Sequence, residues 1–197
     1  MNSKYKVVTI GREYGAGGRT VARGLSEKLG IPFYDKDIVR LTAEKSGFSE
    51  DEIKEEGEEI SYFSGLFNRL LRNSSAYSSS YDAIFDAQVK MMMEIVSEPC
   101  IIVGRCSNII FNLANIPSFD VFLFADIEKR IKRAEELKEY GKMDIRKYVE
   151  KRDSERDNFY KMYTKRQPGM IKDYDISLNT GDIGMDKCVD ILYDILK

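Results

Sequence analysis

The chain contains no histidine. That excludes histidine triads, imidazole metal sites and histidine acid–base chemistry. Any catalysis must draw on carboxylates, lysine, arginine, backbone amides or a bound metal ion. Cysteine is scarce: Cys100, Cys106 and Cys188 are an odd number without metal-ligand spacing. They read as buried or free thiols in a reducing cytoplasm, the expected location. No apolar run approaches the roughly 18 residues of a transmembrane helix. The opening "MNSKYKVVTIG" has too short an apolar stretch for a signal peptide. Charge of one sign is lacking too. The 31 basic and 33 acidic residues leave a net −2, so no global field favours nucleic acid or an anionic membrane. No nucleic-acid-reading motif appears. Small molecules are the expected partners, and homo-oligomer formation stays open.

What is present is the pattern of one α/β domain. A chain of 197 residues can bury a sizeable core. Val7 to Ile10 predicts a buried strand, followed by a glycine-rich loop. Val21, Ala22, Leu25 and Leu29 then recur at helical spacing up to Gly30, a candidate C-cap. "IPFYD" predicts a short strand, with Asp35 a candidate cap for the next helix. Residues 48–97 read as helical: acidic first, then apolar and aromatic, then serine-rich, ending in a helix from about Tyr81 to Ser97. Residues 100–105 and 119–125 predict buried strands. A helix capped by Asp126 follows, then a long basic helix over 144–166, a last strand over 174–180 and a closing helix over 184–196. Strands alternating with helices imply a parallel sheet covered on both faces. Its ligands bind beyond the carboxyl ends of the strands. The near-zero total hides two opposed segments. Residues 42–60 hold two basic and eight acidic side chains, a net −6, and residues 129–166 hold 14 and eight, a net +6.

Three stretches carry chemistry. The first is "GREYGAGGRT", residues 11–20. It resembles a phosphate-binding loop, G-x-x-x-x-G-K-[ST], whose amides wrap phosphates, whose lysine meets the β/γ-phosphates and whose hydroxyl binds Mg²⁺. The lysine is missing, and "GAGGRT" admits two registers. In one, Gly18 stands in the lysine place; in the other, Arg19 does, with Thr20 as the hydroxyl. The second keeps a cation and a hydroxyl in order and is preferred. The amides of Gly15, Ala16, Gly17, Gly18, Arg19 and Thr20 are the expected phosphate ligands, with Thr20 the expected metal contact. A ligand-free glycine turn is the alternative. The second stretch is the basic helix, where Arg152, Arg156 and Tyr160 lie four residues apart and Asp153 and Asp157 form an adjacent row. Its arginines suit phosphates in transfer, although a solvated helix laced with ion pairs has the same pattern. The third is "VGRCSN", where Arg105 directly follows a buried strand and so points at the ligand crevice; a salt bridge at the helix start is the alternative. Cys106 is read as packed rather than reactive, because no histidine is there to activate it.

These stretches, in this order, resemble the cytidylate kinase-like branch of the P-loop nucleoside monophosphate kinases. The pieces are "TIGREYGAGGRTVARGLSEKLGIPFYDKDIVR", "CIIVGRCSNII", "FDVFLFADIEKRIKRA", "YVEKRDSERDNFYKMYT" and "YDISLNTGDIG". The resemblance implies a three-layer P-loop kinase fold with a five-stranded parallel sheet, a helical acceptor-binding insertion and a basic helical lid. On the chain these become one domain: a core of residues 1–41, 98–140 and 171–197, an insertion over 42–97 and a lid over 141–170. The implied reaction is ATP + CMP → ADP + CDP with Mg²⁺. Carried over residue by residue, the phosphate loop falls on Gly15–Thr20, and Arg19, Arg152 and Arg156 are the catalytic candidates. Asp35, Arg40, Arg105 and Asp153 fall at the acceptor, and Asn179 and Thr180 near the adenine. The chain departs from cytidylate kinases in its lysine-free loop, in Cys106 where Gly-Arg-Asp is usual, and in Pro168–Met170 where Trp-Gly-Asp is frequent. A nucleotide-binding module without kinase activity, or a kinase of a non-nucleotide small molecule, are the alternative functions.

Overall fold

The computed structural model describes residues 4–35, 37–47 and 80–197. The acidic, aromatic and serine-rich stretches read over 48–79 lie outside the described residues.

Strand β1 spans Val7–Arg12 and helix α1 Gly18–Leu29. Strand β2 is Phe33–Tyr34, and helices α2 and α3 are Asp37–Ser46 and Ser80–Ile95. Then come β3 at Cys100–Val103, α4 at Ser107–Leu113, β4 at Ser118–Phe124 and α5 at Ile127–Leu137. Helix α6 is Ile145–Thr164, β5 is Ile176–Asn179, α7 is the single turn Thr180–Ile183, and α8 is Met185–Leu196. The strands form one parallel sheet in the order β2-β3-β1-β4-β5. The chain leaves central β1 in one direction to β2 and β3, then crosses to β4 and β5. That reversal opens a crevice at the carboxyl end of β1.

Side-chain alternation along the strands builds both faces. Val8, Ile10, Ile101, Val103, Val121 and Leu123 meet Val21, Leu25, Val189 and Leu192 of α1 and α8. Val7, Cys100 and Ile102 turn the other way, toward Ile38, Phe85, Met92, Ile110, Tyr160 and Tyr163. Helix α3, expected within the insertion, therefore contributes to the core beneath the sheet. Helix α6, expected within the lid, buries its last two turns there as well. Phe85 stacks on Tyr163 with ring centroids 3.7 Å apart.

The boundaries differ from the sequence reading in informative ways. Strand β1 runs two residues beyond Ile10, because Gly11 and Arg12 still pair with Phe122 and Leu123 of β4. Gly30 ends α1 as expected, in the left-handed conformation, with its N–H on the Ser26 carbonyl. Asp126 occupies the N-cap of α5, but its side chain makes no capping hydrogen bond. The Asp35 carboxylate, just before α2, meets the guanidinium groups of Arg12 at 3.3 Å and Arg19 at 3.1 Å.

Candidate functional site

The carboxyl ends of β1 and β3 lie side by side in register, Ile10 beside Val103. Gly-Arg follows Ile10 within β1 and Val103 beyond the end of β3, so Arg12 and Arg105 stand at the same sheet edge. Beyond β1 the loop turns through Gly15 and Gly17, both with φ near 80°, into α1. The first intrahelical bond runs from Val21 N–H to the Gly17 carbonyl at 3.0 Å. The N–H groups of Gly18, Arg19 and Thr20 are thus the donors a helix start leaves unsatisfied, aimed where an anion is welcome. Gly15 is held close to α5: a Cβ there would lie 2.6 Å from the Arg130 carbonyl oxygen.

Arg130 fixes this loop. Its buried guanidinium donates to the Ala125 carbonyl at 2.9 Å and the Tyr14 carbonyl at 3.2 Å. It also pairs with Glu13 at 3.2 Å and with Asp153 of α6. Asp153 in turn accepts from the Tyr14 N–H at 2.6 Å. Both of its oxygens are therefore engaged in joining α6 to the loop. Thr180 secures the far side, its hydroxyl donating to the Ala16 carbonyl at 2.9 Å. Asn179 accepts from the Gly181 N–H and donates to Asp182.

Around the loop mouth stand five guanidinium groups. Arg12 approaches Asp35 at 3.3 Å and Arg19 approaches the same carboxylate at 3.1 Å. Arg105 arrives from Gly104-Arg105-Cys106, three successive residues with positive φ, and lies over the Phe159 ring at 5.3 Å. Two of the three are not glycine, and such backbone strain gathers at functional sites. Arg152 pairs with Glu155 at 2.7 Å. Arg156 lies over the Tyr14 ring at 5.2 Å, and its Nη1 is buried without a hydrogen-bond partner among the described residues.

The charges act on one another. Burial, then the cations Arg105, Arg152 and Arg19, hold Arg12 below the usual guanidinium range, against the pull of Asp35. Burial first, with Arg12 and Arg152, pushes Arg156 down to about 9. Both remain cations at neutral pH, and both carry a charge that calls for an anion. Burial likewise raises the Glu13 carboxyl, opposed by the Ala125 N–H and Arg130.

The structure thus brings Arg19, Asp35, Arg105, Arg152 and Arg156 together at the loop Gly15–Thr20. Arg40 stands apart, exposed and paired with Glu44 on its own helix at 2.6 Å. The Thr20 hydroxyl sits at the exposed start of α1 and accepts from Arg133 at 3.3 Å. Sequence reasoning missed Arg12, although the rule applied to Arg105, an arginine directly after a buried strand, points to it equally. It also missed Arg130, whose burial depends on a loop more than a hundred residues upstream. Among the described residues no three His, Cys, Asp or Glu side chains gather as a metal site.

The model of the cytidylate kinase-like family matches residues 7–182. No protein of curated function matches the chain. Among solved structures, an uncharacterized protein from Eubacterium ventriosum ATCC 27560 is similar at 22% identity and a TM-score of 0.67, over 96% of this chain and 97% of that one. Shikimate kinase from Bacteroides thetaiotaomicron is similar at 14% identity and a TM-score of 0.60, again over 96% and 97%. Shikimate kinase from Acinetobacter baumannii, solved in complex with shikimate, gives 15%, a TM-score of 0.51, and 96% and 90%. At these identities the likeness is one of fold, and that fold is the P-loop kinase fold.

Proposed function

The chain belongs to the cytidylate kinase-like family, and from that premise we propose that it transfers the γ-phosphoryl group of ATP to a nucleoside monophosphate, CMP or dCMP first. The observation that carries this reading is the gathering of five arginines at the phosphate loop, where Asp35 pairs with Arg12 and Arg19, and Glu155 with Arg152. A phosphoryl donor and a phosphate-bearing acceptor together bring several negative charges to these cations. An acceptor with a single uncharged hydroxyl supplies less.

In this reading the Gly15–Thr20 amides hold the ATP phosphates. Arg19, Arg152 and Arg156 stabilise the transferring group, where positioning and charge neutralisation supply most of the catalysis. Arg105 and Asp35 face the acceptor, and Asn179 and Thr180 border the adenine side. Arg40 joins the acceptor only by leaving Glu44. Asp153 serves by holding the loop and α6 together. Residues 141–170, which carry Arg152 and Arg156, form the cover. Magnesium fits this donor set, because it is held mainly by phosphate oxygens and water with few protein ligands; Thr20 is the group that would meet it. An acceptor phosphate oxygen attacks the γ-phosphorus as the bond to ADP breaks. That oxygen is already ionised at neutral pH, so a chain without histidine needs no general base.

ADP release measured across all nucleoside monophosphates, dCMP included, with shikimate as an alcohol acceptor, tests the proposal. Turnover on CMP or dCMP is expected. Silence on every monophosphate overturns it, and turnover on shikimate alone moves the reading to small-molecule alcohols.

A further inference from the structure

The geometry points to Arg12, rather than Arg19, as the cation that replaces the missing phosphate-loop lysine. The inference rests on the proposed use of ATP and names the residue that grips its phosphate chain.

Two glycines shape the place Arg12 occupies. Gly18 is the first residue of α1 and takes the lysine place in one of the two registers of "GAGGRT". A Cβ built on Gly18 would lie 2.9 Å from Arg12 Cγ, 3.2 Å from Cδ and 3.4 Å from Cβ. The Arg12 stem thus fills the space through which a side chain at position 18 would leave the helix. A Cβ on Gly104 would fall inside the contact distance of Arg12 Nη1. The guanidinium therefore lies in a slot between the ends of β1 and β3, with Asp35 on Nη2. Its direction is fixed by the sheet, since Arg12 is still paired with Leu123.

Arg19 is placed differently. One residue along a helix turns a side chain by about 100°, and Arg19 approaches Asp35 with its side chain 47% exposed, against 20% for Arg12. Arg12 is also the guanidinium on which Arg105, Arg152 and Arg19 all act, which puts it at the centre of the positive cluster.

The test is binding rather than turnover. Calorimetry with ATP and with inorganic tripolyphosphate compares wild type, Arg12→Ala and the double variant Arg12→Ala/Gly18→Lys. Arg12→Ala is expected to weaken both ligands by about 10- to 100-fold, the effect of one charge-assisted contact. Lysine at position 18 then enters the vacated space and restores most of that loss. Gly18 lacks a positive φ, so its backbone accepts the change. Melting curves establish that the variants fold, and Arg19 keeps Asp35 paired when Arg12 is removed. Should Arg12→Ala melt too low, Arg12→Gln keeps the stem over Gly18 and removes only the charge. Wild-type affinity in the folded Arg12 variants, or no recovery with Gly18→Lys, overturns the inference and leaves ATP use standing. A wild-type protein that binds neither ligand overturns both.

Discussion

Arg130 is only 8% exposed, yet four oxygen-bearing groups surround it: the Ala125 and Tyr14 carbonyls, Glu13 and Asp153. Removing one partner of such a buried set leaves the others uncompensated. Arg130→Met keeps the stem and deletes the charge, and is expected to cost about 3 kcal/mol in denaturant unfolding at pH 7. The cost shrinks toward pH 5. Glu13 already has its carboxyl raised by burial, and a raised carboxyl penalises the native state above its unfolded value and is relieved as it takes up a proton. Unchanged stability would show that Arg130 is not the clamp. Residues of this kind are hard to read from sequence. Residues 129–133 are four charges around one isoleucine, the pattern of a surface helix. Only the return of the loop and α6 buries Arg130. Arg105, Arg152 and Arg156 were legible because strand ends and helical spacing are local signals.

The elements were mostly legible, since their apolar periodicity is a local property: β3, β4, α1, α5, α6 and α8 fall where the pattern puts them. The end of β1 was not, because glycine and arginine after an apolar run read as loop, while the ladder to β4 is set by a distant strand. The middle of β4 holds a second local exception. Asp120 accepts from the Thr9 hydroxyl at 2.6 Å and the Ser118 hydroxyl at 3.1 Å. Burial outweighs these bonds and, with Asp175 and Asp173 adding to it, pushes its carboxyl up to about 6. A raised carboxyl makes the native state hold its proton longer than the unfolded chain. This residue's contribution therefore falls as pH rises from about 4 to 6. Asp120→Asn removes that dependence and raises stability at pH 7 relative to pH 4. Denaturant midpoints at the two pH values measure it, and an unchanged ratio refutes the assignment.

At the scale of the molecule, a chain of net charge −2 gathers five arginines at one crevice. The segment from 129 to 166 reads as a basic stretch, and folding turns Arg152 and Arg156 toward the phosphate loop while Arg130 disappears beneath it. The fold class was therefore legible from the alternation of strands and helices. The convergence of Arg12 with Arg105 required the register of β1 on β3. A crevice of this charge predicts that tripolyphosphate stabilises the whole protein, by about 2.7 kcal/mol at a hundred times its Kd. The shift shrinks as sodium chloride rises and screening sets in. Thermal melts with and without salt decide it, and a salt-independent shift would place the ligand elsewhere.

The bond from the Tyr14 N–H to Asp153, at 2.6 Å, ties one amide of the loop to the helix that carries Arg152 and Arg156. Helix α6 is fixed near its start by Val149 against Tyr14 and near its end by Tyr160 and Tyr163, and this bond lies between the two. The proton in it is released to solvent only when loop and helix separate. Its hydrogen-exchange rate is therefore a clock for that separation, read at a single backbone position, and any anion that bridges the two elements slows it.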